Sequence, residues 1–176
     1  MNSPSVPDKI DRMSNTEIDA LMHCLDGRRQ HILDALTGLT DAQLRRSVLP
    51  SGWHCLGLVK HLTLADEHYW FSGIVSGEPL NFFPEGPNAD WQLDPHDNTE
   101  SILAKYRHEI SSSNAIINAT QPDQRPRQRD PAWDQWGVDF PDVRTVMLHM
   151  IVETATHAGH LDAVREILDG HQRLVM

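Results

Sequence analysis

The stretch PDVRTVMLHMIVETATHAGHLDAVREILDG, residues 141–170, decides the fold. Val146, Met150, His157, Leu161, Val164 and Leu168 recur at helical spacing and share one stripe. Pro141 stands where a proline favours the first helical position, and Gly170 reads as the stop. With about 100° per residue, Met150, Val164 and Leu168 fall within about 20° of His157, at the centre of an apolar face. Glu153 lies about 40° to one side, and His160 and His149 lie about 60° and 80° off, at the edge. Ionisable groups on a buried stripe must be paired, neutral or metal-bound.

Outward from this helix, three more amphipathic patterns appear, separated by loops rich in Pro and Gly. The first spans residues 16–36, with Ile18, Leu21, Leu25, Ile32, Leu36 and Leu39 on one face and Arg28 and Arg29 interrupting it. Thr40 and Gln43 form a capping box for a short helix. The second spans 54–76 with Leu58, Leu62, Ala65 and Tyr69 inward, and stops at Gly77 and Pro79. The third spans 99–119 with Asn98 as its N-cap and Leu103, Tyr106, Ile110 and Ile117 inward. The segments 77–97 and 121–141 read as long loops carrying Phe82, Phe83, Trp91, Trp133, Trp136 and Phe140, expected mainly to lid the bundle. Alternating strand patterns are nearly absent. The prediction is an all-α protein, an antiparallel four-helix bundle with two long connecting loops, forming one domain over 1–176 with residues 1–14 flexible.

Composition narrows the function. A net charge of −10 over 176 residues argues against a phosphate backbone as the main partner, so no nucleic acid is expected. No apolar run reaches membrane-spanning length, and the polar first residues lack a signal-peptide core. Cys24 and Cys55 form no paired motif, and with no signal peptide they suggest free thiols in a cytoplasmic setting. Exposed loop aromatics such as Trp133 and Trp136 would suit a homodimer.

Glu153 and His157 together suit a divalent metal if another helix adds a donor. His61, flanking Leu58 and Ala65, can reach a facing helix, whereas His68 lies further along. Two imidazoles and a carboxylate leave coordination positions open, as catalytic sites require, and suit zinc or iron(II). With 11 His in the chain, the same residues also suit a buried Glu–His hydrogen bond or a pair with Arg. His160 and His149 read as residues that orient a ligand or move a proton rather than bind the metal.

The segment Ser51-Gly-Trp-His-Cys-Leu-Gly-Leu-Val-Lys-His61-Leu, paired with His149-Met-Ile-Val-Glu153-Thr-Ala-Thr-His157-Ala-Gly-His160-Leu-Asp162, resembles the DinB-like superfamily. The likeness is to the branch related to mycothiol-dependent maleylpyruvate isomerases. It implies a four-helix bundle with a metal near one end, held by His61, Glu153 and His157, the metal being zinc or nickel. Many members have His where Glu153 stands, and this chain follows the isomerase-like version. Those isomerases carry a further C-terminal domain, and this sequence stops at Met176, so isomerase activity is not implied. What the resemblance implies is a metal-dependent S-transferase. It would join a low-molecular-weight thiol (mycothiol, bacillithiol or a glutathione-like molecule) to a small electrophile. The alternatives are a metal-dependent hydrolase and a non-catalytic metal-binding bundle.

Overall fold

The computed structural model describes residues 8–173, with side chains from Glu17 onward. Of residues 1–14, expected to be flexible, 1–7 lie outside the described residues and 8–14 belong to helix α1. Helix α1 spans Asp8–Leu36, starting about two turns before the predicted residue 16. The short α2, Asp41–Leu44, is closed by the predicted capping box between Thr40 and Gln43. Helix α3, Cys55–His61, is capped by His54, whose Nδ1 accepts from the Gly57 amide. It continues without a break into a π-helical segment, Leu62–Val75, in place of the single α-helix expected over 54–76. Helix α4 is Thr99–Asn118, with Asn98 and Ser101 exchanging cap hydrogen bonds. Helix α5 is Val143–Asp169. Its N-cap is Asp142, which accepts from the Thr145 amide at 2.8 Å, so Pro141 precedes the cap instead of occupying the first helical position. Gly170 ends α5 at φ 79°, a left-handed turn that a side chain would strain. The described residues contain no strand.

Ion pairs give the helix directions. Glu17 pairs with Arg144 near the starts of α1 and α5. Towards the other end, His31 contacts both oxygens of Asp162 at 2.9 Å, and Arg165 donates to the Ala35 and Thr37 carbonyls at 2.8 and 2.7 Å. Thus α1 and α5 run parallel. The π-helical segment and α4 also run parallel to each other, opposite to α1 and α5. The all-α bundle with two long loops is therefore present in an up-down-down-up order. The loop between the π-helical segment and α4 joins parallel elements, so it must traverse the bundle from end to end.

The apolar core falls into two clusters. One holds Ile32, Leu36, Leu56, Leu58, Leu62, Ile102, Tyr106, Leu161 and Val164. The other holds Ile18, Leu25, Trp70, Phe71, Ile74, Ile117, Trp133, Val146, Met147 and Met150. Each fully buried large apolar side chain contributes about 1.5–3 kcal/mol. Between the clusters lies a layer of buried polar groups to which every long helix contributes: Arg29, Asp66, Glu67, Ser113 and Thr154. Arg29, which seemed to interrupt the first apolar stripe, is 2% exposed and bonds Glu67 through two nitrogens at 2.7 and 2.6 Å. Asp26 and Asn114 accept from its Nη1.

Candidate metal centre

The polar layer opens onto a cluster of three donors. One ligand atom each from His61, Asp66 and His157 lie within 4.8 Å of one another. His61 ends α3, Asp66 belongs to the π-helical segment, and His157 comes from the middle of α5. The imidazoles of His61 and His157 meet edge to face, with centroids 5.3 Å apart. His61 and His157 are next in sequence to Leu62 and Ala158 of the first apolar cluster, and Asp66 belongs to the buried polar layer.

Helical winding explains Asp66. Five residues along an α-helix a side chain points about 140° away. In a segment with i→i+5 hydrogen bonds, such as Ser76 N–H to the Phe71 carbonyl at 2.9 Å, the wider turn brings residues five apart much nearer to one side. His61 and Asp66 are five apart. Near the start of this segment Thr63 Oγ1 donates to the Val59 carbonyl at 2.7 Å, giving that acceptor a side-chain partner where the winding changes.

The electrostatics of the cluster favour a cation. Asp66 is 5% exposed, and its Oδ2 is buried without a hydrogen-bond partner. Burial, with the charges of Glu67 and Glu153 adding to it, pushes the Asp66 carboxyl well above the usual carboxylate range. His157 Nδ1 is likewise buried without a partner. Burial, then the neighbouring His61 and His160, pushes His157 down to about 4, so at neutral pH it is an uncharged ring with a free lone pair. Two imidazole nitrogens and a carboxylate fit a borderline divalent ion. The two orphaned polar atoms, costly in a native interior, are the observation that favours such an ion here.

The residues predicted from sequence divide. The structure brings His61 and His157 together. Glu153 is half-buried one turn before His157 and outside the tight group, although its charge acts on Asp66 and His149. His149 packs against Trp70 and Phe140 with ring centroids 4.7 and 5.0 Å away, and burial lowers its pKa. His160 is exposed, its ring 5.9 Å from that of His157. His68 pairs with Glu109 on α4 at 3.2 Å.

Sequence reasoning missed Asp66, whose α-helical phase disguises it, and Asp90, a loop residue whose Oδ2 lies 2.6 Å from His61 Nδ1. The loop aromatics also differ from expectation. Trp91 stacks on His61 at 4.1 Å and walls a cavity of about 590 Å³ bounded by Arg45, Trp53, His54 and Gln92. Trp133 is buried against Trp70 and Phe140, because the loop after α4 folds back over the bundle, and only Trp136 of the expected exposed pair is open to solvent. Cys55 is buried, which pushes its thiol up to about 11 and makes it a poor nucleophile.

A four-helix bundle with imidazole and carboxylate donors converging from facing helices defines a class, the helical bundles that build metal sites in their cores. More particularly, the family model described as mycothiol-S-transferase matches residues 20–170, and the chain belongs to that family. No curated protein and no solved structure matches this chain. Family membership and the His/Asp/His cluster together support a metal-dependent thiol transferase. No helix among the described residues is long and apolar enough to cross a membrane.

Proposed function

We propose that this protein transfers the sulfur of a low-molecular-weight thiol, such as mycothiol, to a small electrophile at a divalent metal held by His61 and His157. The carboxylates of Asp66 and Glu153 are the further donors: convergence of atoms favours Asp66, and the family pattern favours Glu153. Zinc suits the donor set best, with nickel and iron(II) as alternatives. When bound, the metal supplies the positive charge that keeps a thiolate ionised at neutral pH.

The chain's own residues supply the rest. His61 and His157 present imidazole nitrogens as donors. Asp66 adds a negative charge that a cation neutralises. The cavity behind Trp91 has two indole walls, with Arg45 and Gln92 among its polar groups, and suits the polar body of a thiol whose sulfur reaches past Trp91. In the reaction the thiol gives up its proton to solvent, its sulfur forms a bond to an electrophilic carbon, and the bond from that carbon to the displaced group breaks, that group leaving with the electron pair. With Cys55 buried and protonated, the sulfur comes from the small thiol and not from this cysteine.

The observation that carries this reading is the buried His61/Asp66/His157 cluster in a chain of this family. The test is to load metal-stripped protein with zinc, nickel or iron(II), and incubate it with mycothiol, bacillithiol or glutathione and a chromogenic electrophile. The expected result is a rate that needs both metal and one of the thiols. No rate above the metal-stripped protein with any thiol would refute transfer. Tight metal binding without turnover would instead leave a metal-binding bundle. Metal content of Asp66→Asn and Glu153→Gln separates the two carboxylates.

A further inference from the structure

The loop after the π-helical segment passes directly over the metal cluster, and it is fastened there at four points. His61 Nδ1 and Asp90 Oδ2 are 2.6 Å apart. The Trp91 indole lies on the His61 ring, with centroids 4.1 Å apart and planes at 20°. Lys60, the neighbour of His61 and 8% exposed, donates to the Gln92 carbonyl at 2.6 Å and to Asp94 Oδ2 at 3.0 Å. At Gly57, one turn before His61, a Cβ would collide with the Trp91 carbonyl oxygen, so the loop can seat only where α3 has no side chain. Gly57, Lys60 and His61 thus form one docking face for residues 90–94.

A carboxylate can only accept, so Asp90 holds a proton on His61 Nδ1, and in the neutral ring Nε2 is then the nitrogen with a lone pair. The Trp91 face fixes the tilt of the ring, and the Asp90 contact fixes its rotation. These two constraints restrict where the Nε2 lone pair points.

We propose that residues 90–94 are a fixed clamp, with Asp90 the positioning residue that sets the tautomer and orientation of His61 for ligation through Nε2. The clamp rests on the metal site proposed above, but its first consequence belongs to the metal-free protein. A metal-ligating histidine held by an outer carboxylate typically loses about 10–100-fold in metal affinity when that partner is removed.

The experiment has two readouts. Long-range proton–nitrogen NMR of histidine-labelled, metal-free protein reports the His61 tautomer, and cobalt(II) titration with its visible absorption reports affinity and ligand field. Wild type is expected to show the Nδ1–H form. Asp90→Ala is expected to give a mixture of tautomers, about 10–100-fold weaker cobalt binding and an altered cobalt spectrum. Asp90→Asn, whose side-chain oxygen still accepts from Nδ1–H, is expected to restore the tautomer and most of the affinity. Gly57→Ala, which displaces the Trp91 carbonyl without touching the His61–Asp90 pair, is expected to shift the tautomer as Asp90→Ala does. If Gly57→Ala loses its helical circular dichroism, the two Asp90 variants decide. Wild-type tautomer and cobalt affinity in Asp90→Ala would overturn the clamp. Failure of wild type to bind cobalt, nickel or zinc would overturn the metal reading instead, while the tautomer readout would still decide whether Asp90 positions His61.

Discussion

Replacing Asp66 with Asn should make the metal-free protein more stable while weakening metal binding. The Asp66 carboxyl is 5% exposed, its Oδ2 has no partner, and Glu67 and Glu153 add like charge nearby. Burial, with these charges, raises its pKa in the folded state well above the 3.8 of an unperturbed Asp. For an acid raised on folding, the stabilising contribution is complete below the unfolded pKa and is lost as pH rises through the folded one. Metal-free wild type is therefore penalised at neutral and alkaline pH, where Asp66 must either carry a buried charge or hold its proton against solvent. A buried polar group without a partner costs about 1–3 kcal/mol, and a charged one more. Asn keeps the shape and removes the charge, so Asp66→Asn should exceed wild type by about 1–3 kcal/mol at pH 8 and match it near pH 4. For a chain of this size the gain at pH 8 raises Tm by about 2–4 °C per kcal/mol. Urea unfolding with chelator present, at pH 4, 6 and 8, measures this difference, provided the urea dependence is shared. Added divalent metal should reverse the order, since a ligand at about 100 times its Kd stabilises its site by about 2.7 kcal/mol, a gain the variant largely lacks. A variant less stable than wild type at pH 8 in chelator, or an offset that does not change with pH, would refute the reasoning.

Three further outcomes follow from the same structure. Arg29→Met strands the buried Glu67 and should cost about 3–5 kcal/mol in urea unfolding, whereas Arg29→Met with Glu67→Leu should recover most of it; equal losses would refute the pairing. His157 is depressed in the folded state to about 4 by burial and by His61 and His160, so its contribution is present above the unfolded value of 6.5 and lost as pH falls through about 4. Allowing for its partial solvent contact, this contribution is worth about 2 kcal/mol, so the stability of metal-free wild type minus that of His157→Gln, by urea unfolding, should fall by about that amount from pH 6.5 to pH 4. Asn98→Ala removes the cap of α4 and should lower the urea midpoint by the equivalent of about 1 kcal/mol, with the urea dependence unchanged.

What could be read from the sequence is what depends on neighbours along the chain. Thr40 with Gln43, Asn98 and Gly170 act within a few residues of the helix ends that they close, so their chemistry is local. The apolar stripes of α1, α4 and α5 follow from helical repeat alone, and so does the central place of His157. His61 could be matched to it because both lie on or beside core stripes. Other features depend on which element comes to lie against which. Arg29 reads as an intrusion until Glu67 is found across the core, since a buried cation is tolerated only with its counter-charge. Asp66 reads as facing away from His61 until the helix is seen to wind with i→i+5 bonds, which changes the angle between residues five apart. Asp90 and Trp91 sit in a loop without periodicity. Their role at His61 exists only because two parallel helices force that loop to run the length of the bundle, over the site.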